Sequence, residues 1–153
     1  MNNLGRNKAF IIYVLVDLFC VGLGMGVPIF CIFLGFPVGW YLTKRIYTPD
    51  LDLRCVLSRI FKYAFISSAV TMLLMVLIWG SLIPMIWDPK ADLANFGIPL
   101  ILYDPKMSFI GWLILMIVIS PFLQLMSAVF TAFITLMRMD IIKTNHKHQE
   151  KKE

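Results

Sequence analysis

The longest apolar stretch of the chain, residues 9–43, is the feature that most constrains its fold. It holds 35 residues and one formal charge, Asp17. About 20 apolar residues suffice to cross the hydrocarbon core of a bilayer. The stretch is therefore too long for one ordinary span and just long enough for two. Residues 22–28 interrupt it with three glycines and a proline, which permit unusual backbone angles and break helical hydrogen bonding.

The composition excludes an ordinary soluble domain. Of the 153 residues, 59% are hydrophobic and 15% are charged, whereas soluble domains average about 45–50% apolar and about 25% charged residues. A spanning segment must satisfy its own backbone hydrogen bonds, and the short alternating segments of a membrane barrel are not visible. The sequence thus predicts an all-α integral membrane protein without a separate soluble domain.

Four apolar units predict four transmembrane helices in one membrane domain, residues 1–138. They cover about residues 9–25, 27–42, 63–87 and 107–137, and the first two form a tight Gly/Pro hairpin. Apolar residues at helical spacing predict an amphipathic interfacial helix over about 47–62, with Thr48 as its N-cap. Residues 139–153 form a basic tail that we expect to be disordered. A re-entrant or kinked element over residues 9–43 stays open as an alternative.

The basic residues predict the topology. If residues 9–43 form a hairpin, 12 of the 14 lysines and arginines lie on one side of the membrane: Arg6, Lys8, Lys44, Arg45, Arg54, Arg59, Lys62, Arg138, Lys143, Lys147, Lys151 and Lys152. This positive-inside pattern predicts that both termini are cytoplasmic. The layout resembles that of small four-span proteins of prokaryotic inner membranes, so we expect a prokaryotic plasma membrane. It also explains the net charge of +5 without a nucleic-acid partner. The N-terminal stretch is too long for a signal peptide, so we expect an uncleaved first span.

Asp17 is the sharpest candidate for a functional residue. A carboxylate inside the membrane costs about 2.5–3.5 kcal/mol on insertion scales and by default marks a functional site. Two interpretations stay open. Asp17 has a functional role, in proton or cation handling or in pairing with a basic residue of a partner subunit, or it is a structural carboxyl group that is hydrogen-bonded to a neighbouring hydroxyl. Ser67, Ser68 and Thr71 form a polar stripe in the third span that we expect to reach Asp17 or Gln124.

Small residues recur at four-residue spacing in several spans. Such faces let helices approach closely in lipid. The candidate packing residues are Gly22, Gly26, Gly35, Gly39, Ser127, Thr131 and Thr135.

Proline residues predict local features of the last span and the loop before it. Asp88-Pro89 and Asp104-Pro105 each match an N-cap followed by the first residue of a helix. Pro121 predicts a kink, because it removes a backbone donor. Ser120 and Gln124 are the expected partners of the groups that it frees.

Motifs of enzymes and metal sites are missing from the sequence. No nucleophile elbow, zinc-protease motif or phosphate loop occurs, so we expect neither catalysis nor a cofactor. Cys20, Cys31 and Cys55 lack metal-ligand spacing and are predicted to be free thiols. His146 and His148 in the tail make at most a weak metal site.

The sequence is most typical of a small membrane protein of structural or accessory type, which acts through helix packing. Its partners would be the lipid bilayer and either a second copy or a larger membrane complex. The alternative is an oligomeric transporter or channel subunit that uses Asp17 and the helix break at residues 22–28, because broken helices at membrane depth mark transporter sites.

Overall fold

The computed structural model describes residues 6–23, 29–48, 52–88, 90–93 and 103–150, with side chains in 8–22, 29–48, 52–88, 90–93 and 103–139. Its helices are α1 (Arg6–Leu23), α2 (Ile29–Ile46), α3 (Leu53–Trp79), a 3₁₀ segment (Gly80–Ile86), α4 (Pro105–Ile114), a π-helical segment (Leu115–Ile119) and α5 (Ser120–Glu150). No strand occurs in these ranges, so the prediction of an all-helical protein is confirmed.

Three helical stretches, not clearly four, are long and apolar enough to cross a membrane. They are Ile29–Ile46, Leu53–Ile86 and Pro105–Met139, among the described residues. Helix α1 has 18 residues, about 27 Å at 1.5 Å per residue, but it carries Arg6, Lys8 and Asp17. These charges separate α1 from the three apolar stretches. Gly24, Gly26 and Pro28 of the predicted hairpin turn lie outside the described residues.

Helix α3 corrects the prediction of a separate interfacial helix. The helix begins at Leu53, with Asp52 rather than Thr48 at its N-cap, and continues without interruption to Trp79. Its buried residues follow one face from end to end: Val56, Ile60, Ala64, Ser68, Thr71 and Met75. Val56 and Ile60 of the expected apolar face pack inside the bundle, whereas Leu53, Leu57 and Phe61 are exposed. Because the helix is continuous through this segment, the segment extends the third helix.

The two Asp-Pro sequences differ in structure. The Asp104 side chain accepts a hydrogen bond from the Lys106 amide at 2.8 Å, and Pro105 is the first residue of α4, as predicted. Asp88 makes the equivalent bond to the Lys90 amide at 2.9 Å, but residues 90–93 are not helical. The first copy therefore forms a turn.

The last apolar stretch contains a π-helical segment just before Pro121. The Ser120 amide donates to the carbonyl of Leu115, five residues earlier, so the helix widens where proline offers no donor. The disruption predicted near Pro121 thus lies at Leu115–Ile119. Helix α5 then runs to Glu150, through most of the tail for which the sequence predicts disorder.

Two apolar clusters show which helix ends lie together at each end of the bundle. At one end, Val56 and Ile60 of α3 pack with Ala132 and Leu136 of α5. We call this the basic end, since the described lysines and arginines of α1, α2, α3 and α5 lie towards it. At the opposite end, a larger cluster joins α1, α2, α3 and α4 through Val21, Cys31, Met75, Phe109, Trp112, Leu113 and Met116. Helices α1 and α3 therefore run antiparallel to α2 and α5.

Candidate functional site

Asp17 lies between the two apolar clusters and is completely buried, with 0% of its surface exposed. Tyr13, Asp17 and Val21 form the inward face of α1, because residues four apart lie on one side of a helix. Most other large side chains of α1 are exposed, including Leu15 and Phe19. The single acidic residue of α1 therefore points into the bundle.

Five residues from three helices form a polar cluster around Asp17, in which Tyr13 and Ser67 are half-buried and the others are buried: Tyr13, Asp17, Ser67, Thr71 and Gln124. The Thr71 hydroxyl donates to Asp17 Oδ2 at 2.7 Å. The Tyr13 hydroxyl lies 2.8 Å from Thr71 Oγ1 and 3.4 Å from Asp17 Oδ2. Gln124 Nε2 donates to the Tyr13 hydroxyl at 3.2 Å. The polar cluster thus joins α1, α3 and α5.

The available protons allow a chain of hydrogen bonds that runs in one direction, from Gln124 to Asp17. Gln124 donates to Tyr13, Tyr13 can donate to Thr71, and Thr71 donates to Asp17. The Ser67 carbonyl competes for the single Tyr13 proton at 2.8 Å. In either arrangement, Asp17 Oδ2 is the final acceptor. Asp17 Oδ1 and Gln124 Oε1 are buried and have no hydrogen-bond partner among the described residues.

The predicted polar stripe on α3 divides into different contacts. Thr71 reaches Asp17, and Ser67 takes part through its carbonyl, while the Ser67 hydroxyl donates to Ala64 of its own helix. The Ser68 hydroxyl donates instead to the Pro121 carbonyl on α5 at 2.6 Å. Ser68, and not Ser120 or Gln124, is thus the side chain that bonds the backbone at Pro121. The buried Ser120 hydroxyl has no partner in the described part of the chain.

Gly35 and Gly39 lie at the closest approach of α2 to α5. A Cβ atom on Gly35 would meet the Gln124 carbonyl and lie 2.8 Å from Ser127 Cβ, and one on Gly39 would overlap the Ala128 backbone. Only glycine allows this approach. Gly22, by contrast, is exposed and faces open space, and Gly26 lies outside the described residues.

The hydroxyl row on α5 borders the contact with α2, and Ser127 takes part in this contact through its Cβ atom, which faces Gly35. Ser127, Thr131 and Thr135 are half-buried, and each donates to the carbonyl four residues earlier on its own helix. The fully buried row is one position further on, at Gln124, Ala128, Ala132 and Leu136. Sequence reasoning missed Ala128 as a packing residue and Tyr13 as a cluster residue. The spacing of Tyr13 four residues before Asp17 is the signal that indicates the latter.

The remaining candidates for chemistry are not brought together. All three cysteines are free; Cys31 is buried, Cys20 is half-buried and Cys55 is exposed. No group of three histidine, cysteine, aspartate or glutamate side chains that could hold a metal occurs in the described ranges. The side chains of His146 and His148 lie outside them.

Known proteins provide no relative for this arrangement. The chain matches no family model, no curated protein and no solved structure.

Proposed function

We propose that this chain is a non-enzymatic integral membrane protein of structural or accessory type, which acts by packing its helices against a second copy or within a larger membrane complex. The observation that carries the proposal is the hydrogen bond from Thr71 to the fully buried Asp17. A carboxyl group that is used to attach α1 to α3 contributes to packing, as polar contacts between membrane helices do.

The proposed topology has four spans, with α1 as the first and both termini on the cytoplasmic side of a prokaryotic plasma membrane. It is supported by most of the described basic residues, which lie at the ends of α1, α2, α3 and α5 that meet at the basic end; Lys90 and Lys106 lie towards the opposite end. A concentration of lysine and arginine on one side is typical of cytoplasmic segments. Packing against α2 and α3 would compensate for the short and charged first helix.

The surface available to partners is apolar on every helix. Large side chains point outwards on α2, α3 and α5, among them Phe33, Phe65 and Phe130, each more than half exposed. In a membrane these faces contact either lipid or another transmembrane helix.

Site-specific photo-crosslinking tests the proposal. A photoreactive phenylalanine analogue replaces Phe33, Phe65 or Phe130 in turn, and the protein is irradiated in cells at native expression level. We expect one of the three faces to yield a single defined protein adduct, either a second copy or one partner. The buried Phe109 is the matched control and should react only within its own chain. Lipid adducts from all three faces would contradict a packing function.

The second candidate is an oligomeric transporter or channel subunit. The observation that favours it is the pair of buried acceptors without partners, Asp17 Oδ1 and Gln124 Oε1, beside a chain of hydroxyl groups. We would then expect pH-dependent ion flux in liposomes that contain the purified protein, and its loss in Asp17→Asn. Ser68→Ala is the control, because Ser68 bonds Pro121 rather than Asp17. Flux no greater than in empty liposomes would exclude this function.

A further inference from the structure

A groove of about 1090 Å³ lies between α1, α2 and α3 on the side of the bundle. It extends from Tyr13 and Ser67, beside the polar cluster, to the basic end of the bundle. From Arg59 to Ser67 the helix rises about 12 Å at 1.5 Å per residue. The volume is slightly above the range of about 300–1,000 Å³ for small-molecule sites. The groove therefore has room for a bulky, elongated ligand.

The position of α1 explains the groove. Tyr13 and Val21 tie its middle and C-terminal part to the bundle. Before Tyr13, the side chains of Ala9 and Phe10 line the groove, and neither belongs to the two apolar clusters. On the facing wall, Pro37 and Val38 of α2 continue the apolar lining.

The chemistry of the groove changes along its length. Its inner walls are largely aliphatic and aromatic, whereas Arg45, Arg59 and Lys62 line its outer end and are exposed. No acidic side chain is among its described lining residues. Arg45 Nη1 donates to the Tyr41 hydroxyl at 2.7 Å, which holds the guanidinium beside the groove. Apolar walls below three cations are complementary to an amphiphile with an anionic head.

We propose that this groove binds a membrane phospholipid with an anionic head group, with an acyl chain beside Phe10 and Val38 and the phosphate near Arg45, Arg59 and Lys62. Basic pockets between membrane helices on the cytoplasmic side are suited to such head groups. An apolar helix of a second copy would offer no counter-charge to Arg59 and Lys62. The proposal rests on the topology proposed above, since it places the cations at the cytoplasmic surface.

Native mass spectrometry of the purified protein in mild detergent tests the site. Dioleoyl phosphatidylglycerol and dioleoyl phosphatidylcholine, which share acyl chains, are added at equal concentration. We expect one phosphatidylglycerol molecule to be retained in preference. Each basic residue near an anionic lipid surface contributes about fivefold, so Arg59→Gln with Lys62→Gln should weaken retention about 30-fold.

Lys44→Gln with Arg54→Gln is the matched control. It removes the same charge from the same end of the bundle, but neither residue lines the groove. Lys44 lies over the Trp40 ring, 4.1 Å from the ring centroid. Equal losses in the two double variants, or no preference for phosphatidylglycerol in the unaltered protein, would overturn the proposal.

A groove-filling variant, Val38→Trp, distinguishes the contribution of the acyl-chain contacts to lipid binding from that of the basic residues. This variant keeps all three cations, and we expect it to lose the retained phosphatidylglycerol. Unchanged retention of phosphatidylglycerol in a variant of normal thermal stability would contradict the assignment of the groove. Thiol labelling of Cys55 in intact cells reports separately on orientation. Labelling of Cys55 without permeabilisation would refute the proposed topology. If Cys55 is not labelled in intact cells but the unaltered protein shows no preference for phosphatidylglycerol, the lipid site is refuted and the topology is not.

Discussion

At the scale of single residues, the contacts of Asp17 link three helices. Its Oδ2 accepts from Thr71 of α3, and Thr71 adjoins the Tyr13 hydroxyl, which accepts from Gln124 of α5. Burying a polar group is costly unless it is hydrogen-bonded. Hydrogen bonds between membrane helices contribute about 0.6 kcal/mol on average and up to about 2 kcal/mol. The Asp17–Thr71 bond is short and fully buried, so we expect it to be at the upper end.

A double-mutant cycle measures this bond. Asp17→Leu and Thr71→Val, alone and together, should show a coupling free energy of about 1–2 kcal/mol in unfolding by detergent titration. Asp17→Leu with Ser68→Ala is the control pair and should be additive, because Ser68 donates to Pro121. Coupling of Ser68 as strong as that of Thr71 would show that the hydroxyl groups are assigned wrongly.

At the scale of elements, the approach of α2 to α5 depends on glycine. Gly35 and Gly39 are buried against the α5 backbone, where a single added methyl group overlaps main-chain atoms that cannot rotate away. The pairing of small residues was predictable from their spacing in α2. The surface of α5 that packs against these glycines was not predictable from the sequence. The hydroxyl row and the alanine row of α5 differ by one position, and only the rotation of α5 about its axis decides which of them faces α2.

Gly39→Ala should destabilise the protein by about 1–3 kcal/mol, the usual cost of overpacking. Gly111→Ala is the matched control: it is also within a helix, but its added methyl group meets open space. This control should be neutral or stabilising by up to about 1 kcal/mol, since alanine favours helix more than glycine does. Equal thermal stability of the two variants in detergent would refute the close contact of α2 with α5.

The extent of each helix was less predictable than its existence. Apolar runs located the three helical stretches that are long and apolar enough to cross a membrane, but the residues before Tyr63 have a face that suits either a membrane surface or a helix neighbour. Contacts of Val56 and Ile60 with α5 decide for the neighbour. Similarly, Pro121 predicts a disruption, while its form as a π-helical segment depends on how α4 and α5 both pack on α3.

At the scale of the whole molecule, charged residues lie at the two ends of the bundle and apolar side chains cover its surface between them. The described ends of α1, α2, α3 and α5 that carry most basic residues lie together, and Asp88 and Asp104 lie towards the opposite end. The outer surface between them is covered by large apolar side chains. The proposed topology places the basic end at the anionic cytoplasmic surface of the bilayer.

Cys55 is a native reporter of that orientation. It is exposed at the start of α3, whereas Cys31 is buried and Cys20 half-buried in the bundle. A membrane-impermeant maleimide should label Cys55 only after the cytoplasmic membrane is permeabilised. In the Cys55→Ser background, Lys90→Cys should be labelled in cells whose cytoplasmic membrane is intact. The reverse pattern would show that the basic end faces outwards.

The sequence by itself determined the helical class: long apolar runs predict helices that are suited to a membrane, and the basic residues between them predict which helix ends lie together. These features depend on local composition and spacing. Only the tertiary structure decided that Asp17 accepts a hydrogen bond from Thr71 rather than Ser68. Only the tertiary structure likewise decided that Gly39 packs against Ala128 rather than against a residue of the hydroxyl row of α5. Such choices depend on the rotation of each helix about its axis, which is set by side chains more than 50 residues apart in the chain.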